Sequence, residues 1–179
     1  MCIRDRSKTL LVMWVIIFED GVFSCKDPCD KILCGYIAAL VHTRARFSDI
    51  LFCTNILLDV NSAGIGYLEL LASEIKTART KESKKQFVPF ICPTQGVASR
   101  PWAKERISQR RKQGIEHFSC LLPSLGPDGK WIDHPCDSDA CSNWMKNVLV
   151  MHGVKRDSLL DLTSQGFKAT GLSLSLIHI

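Results

Sequence analysis

Leu10 to Phe18 is an unbroken apolar run closed by Glu19 and Asp20. A membrane span needs about 20 such residues, so the run predicts a short buried helix instead. Ser24 to Asp30, with Pro28, reads as a turn. From Asp30 onward Ile32, Leu33, Tyr36, Ile37, Leu40 and Val41 recur at three- and four-residue steps, which predicts a second, long helix. That helix ends on Thr43-Arg44-Ala45-Arg46-Phe47-Ser48-Asp49, with Ile50, Leu51 and Phe52 as a short continuation. Asn61 to Gly66 has loop composition. Tyr67 to Ile75 is an extended run, and Gln86 to Phe90 reads as a returning strand that Pro89 ends or confines to a sheet edge. The connection between them, Lys76 to Lys85, carries Lys76, Arg79, Lys81, Lys84 and Lys85 against a single acid, Glu82. The pattern is a hairpin with a basic tip.

Further along, Ser99 is a candidate cap for a basic helix running to Gln113, with Pro101 tolerated in its first turn. Trp102, Arg106 and Arg110 fall at four-residue steps on it, and an ordinary, partly exposed surface helix is expected. Leu122 to Gly129 reads as a loop with Asp128-Gly129 as a tight turn. A helix beginning at Asp137 or Ser138 should present Trp144, Val148 and Leu149 to the core. Finally, Thr163 or Ser164 should cap a new helix over Gln165-Gly166-Phe167-Lys168, whose free N–H groups could receive an anion.

The two ends look foreign to this pattern. Residues 1–6 and 174–179 read as translated ends of a transposase-based sequencing adaptor, one on each strand, and are set aside as adaptor-derived tails. Residues 7–173 then form one domain, expected to be part of a longer natural protein. A hydrophobic content of 46% suits a globular chain with a real core. The net charge of +5 and pI near 8.7 are compatible with a polyanionic partner without requiring one. The nine cysteines show no recurring framework spacing, so reduced thiols and an intracellular setting, nuclear in a eukaryote, are expected.

Among candidate sites, Arg46 is followed three places later by Asp49. On a helix the pair shares a face, so Asp49 could hold the Arg46 guanidinium in a fixed orientation suited to a phosphate. The competing reading is a surface ion pair of little energetic weight. Cys25, Cys29 and Cys34 lack the CxxC spacing of a zinc knuckle, and His134, Cys136, Asp137, Asp139 and Cys141 fit a helix start better than a cluster of ligands. No metal and no cofactor is therefore expected. The chain has no phosphate-binding glycine loop, no HExxH and no GxSxG.

Three pieces occur in a fixed order: Arg-x-x-Asp at a helix end, a lysine-bearing hairpin ending in Val-Pro, and a capped Thr-Ser-x-x-x-Lys segment. Together with Leu122 to Trp131 they resemble the catalytic domain of the tyrosine recombinase, or phage integrase, family. The resemblance is greatest to divergent members carried by mobile elements of protists, and it covers about Glu19 to Ser173. It implies an α+β, mainly helical catalytic core with a small antiparallel hairpin or sheet, here truncated at its C-terminal side. It also implies metal-free breaking and rejoining of double-stranded DNA through a 3′-phosphotyrosyl intermediate, with self-association on DNA and no membrane partner.

Carried over residue by residue, Arg46 matches the first phosphate-clamping arginine, with Asp49 its orienting neighbour. Lys76 matches the lysine that protonates the leaving oxygen; counting back from Pro89 would choose Lys81 instead. Arg44, Arg79, Lys84 and Lys85 would line the DNA surface. The family's His-x-x-Arg is replaced by Gln165-Gly166-Phe167-Lys168. Gln165 cannot shuttle a proton near neutral pH, and Lys168 offers a point charge instead of a planar fork. The nucleophilic tyrosine and the last His or Trp would lie beyond Ser173, because Tyr36 and Tyr67 come too early. These departures support a second reading, a catalytically decayed module that still grips DNA. A structural thiol or zinc protein is a third.

Overall fold

The computed structural model describes residues 12–72 and 88–166. It is an α+β fold, mainly helical, with a three-stranded antiparallel sheet and a separate hairpin. Helix α1 (Val12–Ser24) does not stop at Glu19-Asp20; it runs on and buries Phe18, Glu19 and Val22. Helix α2 (Pro28–Thr43) begins earlier than the apolar periodicity suggests. Asp27 caps it by accepting from the Cys29 N–H at 2.8 Å, and Pro28 takes the first helical position, where its missing N–H costs nothing. From Ile32 to Val41 every residue of α2 is buried, because α1, helix α4 (Trp102–Lys112) and the sheet all pack on it. Each such Ile or Leu side chain contributes about 1.5–3 kcal/mol.

Two glycines set how closely the helices approach. A methyl group on Gly21 would lie 2.6 Å from the Cys34 sulfur, so the α1–α2 contact needs glycine there. A methyl group on Gly35 would lie 2.6 Å from both Cγ and Cδ of Arg106, so α2 makes room for that side chain.

Helix α3 (Phe47–Leu51) leads into β1 (Cys53–Val60), a strand the apolar pattern alone does not announce. Strands β2 (Gly66–Ala72) and β3 (Val88–Pro93) follow, with β2 central in the order β1-β2-β3. Leu68, Leu70 and Ala72 face the core, while Tyr67 and Glu69 face outward. Pro89 does not end β3; it pairs opposite Leu71 on an edge strand, where a missing N–H is tolerated. The basic connection between β2 and β3 lies outside the described residues.

Helix α4 departs most from expectation. Ser99 does not cap it. That residue adopts φ +56°, and Pro101 stands at the cap position without a capping side-chain bond. Helix α4 is partly exposed, through Lys104, Arg111 and Lys112, but its face with Trp102, Arg106 and Arg110 is buried, the first two fully and Arg110 to 3% exposure. Beyond it, Pro123–Leu125 is not loop but strand β4, paired with β5 (Trp131–Pro135) across a turn closed by the Gly126 N–H on the Lys130 carbonyl at 2.7 Å. Helix α5 (Ser138–Met151) starts under an Asp137 cap and buries Met145, Val148 and Leu149, with Trp144 half-buried. The Trp144 indole N–H donates to Asp30 Oδ1 at 2.6 Å and ties α5 to α2. The Thr-Ser segment forms a 3-10 turn over Ser164–Gly166, held to α5 by the Ser164 N–H on Ser142 Oγ at 3.0 Å, and the rest of the expected helix, from Phe167, lies outside the described residues. Among the described residues no helix is long and apolar enough to cross a membrane.

Candidate functional site

The Arg44–Asp49 stretch is a corner between two helices. Arg44 terminates α2 in the left-handed conformation, φ 55°, with its N–H on the Val41 carbonyl at 3.2 Å. Extended backbone at Arg46 then starts α3. Side chains alternate through the corner: Ala45 and Phe47 are buried, whereas Arg44 and Arg46 are exposed. The Tyr36 hydroxyl donates to the Phe47 carbonyl at 2.8 Å, and the two rings meet edge to face at 5.6 Å, which locks the corner onto α2.

Asp49 meets Arg46 through the backbone, not through the guanidinium. Its Oδ2 accepts from the Arg46 N–H at 3.1 Å, while the Asp49 N–H donates to the Arg46 carbonyl at 3.0 Å. The two residues do not share one helical face, because Arg46 precedes α3 and its side chain leaves the axis before the helix begins. Neither guanidinium, of Arg44 or of Arg46, makes a hydrogen bond or ion pair with a described residue. Asp49 Oδ1 is buried without a partner. The corner thus presents two exposed cations, unpaired among the described residues, on a backbone held by Tyr36 and Asp49.

Sheet register adds a second fact. Helix α3 runs directly into Cys53, and Cys53 pairs with Ala72, which in turn pairs with Val88. Ala72 and Val88 flank the basic connection. The Arg46 corner and the roots of the segment carrying Lys76, Arg79, Lys81, Lys84 and Lys85 therefore occupy the same end of one sheet. Those five side chains, and Lys168, lie outside the described residues. Gln165 falls within the 3-10 turn against α5.

The two tyrosines differ in exposure. Tyr36 is fully buried, its hydroxyl is committed to Phe47, and burial holds its pKa well above the ordinary phenol value. Tyr67 is 62% exposed on the outer face of β2.

Two polar clusters escaped the sequence reading. Glu19 is fully buried, and its Oε1 lies 2.8 Å from His42 Nε2 and accepts from the Val97 N–H at 3.0 Å. Its Oε2 accepts from Ala98 at 3.2 Å, and the His42 ring stacks on Trp102 at 5.8 Å. The available signal was an acid at the end of an apolar run, paired with Gly96, where a methyl group would collide with the Glu19 carboxylate.

The second cluster is Arg106 and Arg110. Arg110 donates to the carbonyls of Leu121 and Ile115, both at 2.7 Å, and to that of Cys120 at 3.4 Å. Arg106 adds one bond to Leu121 at 3.4 Å and leaves Nε and Nη1 unpartnered. Burial, with the neighbouring Arg110 charge, pulls the Arg106 pKa down to about 9. Gly35 inside an otherwise bulky helix was the trace of this arrangement.

A cavity of about 360 Å³ lies between the start of α2, the end of α4 and the β4–β5 turn, lined by Cys29, Gln113, Ile115, Phe118, Lys130 and Trp131. It contains none of the predicted site residues. Among the described residues no three His, Cys, Asp or Glu side chains gather as metal ligands. No family model, curated protein or solved structure matches the chain.

Proposed function

We propose that the chain is the core of a DNA breaking-and-rejoining domain of the tyrosine recombinase type, with the Arg46 corner as one half of its phosphate clamp. The supporting observation is that two exposed guanidiniums, Arg44 and Arg46, without partners among the described residues, lie at the end of the sheet where Ala72 and Val88 flank the basic connection. A phosphodiester drawn to that end would meet a planar bidentate donor on a fixed backbone, and lysines of the connection could reach the same strand. Asp49 positions Arg46 and does not quench it. Tyr36 and Tyr67 both precede the second box, so neither is assigned strand cleavage.

Gln165 and Lys168 favour a second reading, a decayed copy that binds DNA without cutting it. Incubating the protein of an intact reading frame with a nicked suicide duplex separates the two. A covalent DNA–protein adduct abolished by Arg46→Ala supports the recombinase. Binding without an adduct leaves the DNA-binding module, and no binding at all removes both.

A further inference from the structure

The two edges of the three-stranded sheet are unequal. Strand β3 carries Pro89 and Pro93 along its edge, which blunts pairing with another chain. The opposite edge is β1, eight residues long, with neither proline nor lysine. From Asn55 to Val60 its ladder with β2 is regular, the irregularity being confined to the Cys53/Asn55 step. None of its outward backbone groups is hydrogen-bonded to a described residue. On the outer face Leu57 is 48% exposed, between the exposed Asn55 and Asp59. An open, regular, apolar-centred edge of this kind is a template for strand addition.

The side-chain order along β1 selects the partner. A two-fold axis normal to the sheet brings a second β1 antiparallel to the first, keeps the outer face outside, and must pass through a residue. Centring it on Ile56 sets Asn55 against Leu57, and centring it on Leu58 sets Leu57 against Asp59; both are mismatched. Centring it on Leu57 sets Leu57 against its own copy and Asn55 against Asp59 at both ends. The half-buried Ile56 then faces Leu58 on the core side. Leu57 then meets its own copy, Ile56 meets Leu58 and Asn55 meets Asp59, while Thr54 falls opposite Val60 at the strand ends, and no charges of the same sign oppose each other.

We infer that β1 is a homodimer interface, through which two copies of this chain join their sheets into one continuous six-stranded antiparallel sheet, paired about Leu57 and needing no DNA. The closed two-fold pairing consumes the two β1 edges, unpaired among the described residues, and leaves only the proline-bearing edges of the sheet, so association stops at two copies. This inference is independent of the recombinase reading.

Sedimentation velocity of the full chain without DNA, from low micromolar to several hundred micromolar, tests it. The expected result is a concentration-dependent monomer–dimer equilibrium. Leu57→Lys, at an exposed position, should leave circular dichroism unchanged and abolish the dimer. Asn55→Asp sets carboxylate against carboxylate twice and should weaken dimerisation about tenfold or more. Adding Asp59→Asn to that variant recreates the amide–carboxylate pair in reverse and should restore it. A chain monomeric throughout, a dimer indifferent to Leu57→Lys, or a double variant no tighter than Asn55→Asp would each overturn the inference.

Discussion

Arg106 and Arg110 sit one helical turn apart on α4, yet replacing each by methionine should move stability in opposite directions. Arg106 is completely buried, has no carboxylate beside it, and leaves Nε and Nη1 without acceptors. Its one hydrogen bond, 3.4 Å to the Leu121 carbonyl, is redundant, since Arg110 holds the same oxygen at 2.7 Å. Methionine keeps much of the aliphatic stem that Gly35 accommodates, removes a desolvated charge and orphans no acceptor. Replacing buried charges with apolar groups of similar volume is often neutral or stabilising by about 1–4 kcal/mol. For a chain of this length each kcal/mol moves the melting temperature by about 2–4 °C. In Arg110→Met, among the described residues, the Cys120 carbonyl loses its one side-chain donor, the Ile115 carbonyl keeps only the 3.3 Å bond from the Phe118 N–H, and Leu121 keeps the long bond alone. Leaving such acceptors buried costs about 1–3 kcal/mol each before relaxation. Urea unfolding at pH 7 reads both values from the midpoint, provided the slope is unchanged. Arg106→Met less stable than wild type by more than about 1 kcal/mol would refute the reasoning, because the guanidinium would then be earning an interaction that the geometry denies it.

Other expectations follow from the same contacts. Glu19→Ala strips acceptors from the Val97 and Ala98 N–H groups and from His42, and should cost about 2–4 kcal/mol; a melting temperature unchanged within a degree would contradict it. Tyr36→Phe removes the bond to the Phe47 carbonyl and should cost about 1 kcal/mol by urea unfolding; no loss would mean that the hydroxyl does not lock the corner. Burial raises the Cys53 and Cys92 thiols to about 12, above their ordinary value of 9.0. Groups whose folded pKa is raised stabilise fully below pH 9 and lose that contribution as pH climbs toward 12. Arg106, depressed to about 9, acts in the opposite sense over the same range. The raised thiols outnumber it, so the urea midpoint should fall above pH 9, whereas a midpoint level to pH 11 would contradict the burial of the thiols.

Helices α2 and α5 were legible because their apolar residues recur with helical period and Asp-type caps mark their starts. The β2–β3 pair was legible from an extended run and a proline-bearing return. Strand β1 was not, since Asn55-Ile56-Leu57-Leu58-Asp59 places three apolar residues in a row and hides the alternation. The break at Arg44 was hidden too: no glycine or proline announces it, and tertiary packing of Ala45 and Phe47 fixes it. Helix α4 misled for a different reason. Its sequence is strongly basic, and the carbonyls of a distant loop, Ile115, Cys120 and Leu121, satisfy Arg110 when it is buried, whereas Arg106 is buried beside it with a single long bond. At the candidate site, the spacing of Arg46 and Asp49 suggested a guanidinium contact, whereas the hydrogen bond joins Asp49 to the Arg46 backbone N–H, because the helix begins only after Arg46.

The account turns on Arg46 as a phosphate ligand, and the salt dependence of duplex DNA binding measures that directly. Fluorescence anisotropy with a short duplex, in wild type and Arg46→Ala, gives the slope of log K against log salt concentration. The account predicts a steep slope for wild type, a slope shallower by about one in the variant, and matching melting temperatures for the two proteins. Equal slopes, or an Arg46→Ala chain that unfolds, would contradict it.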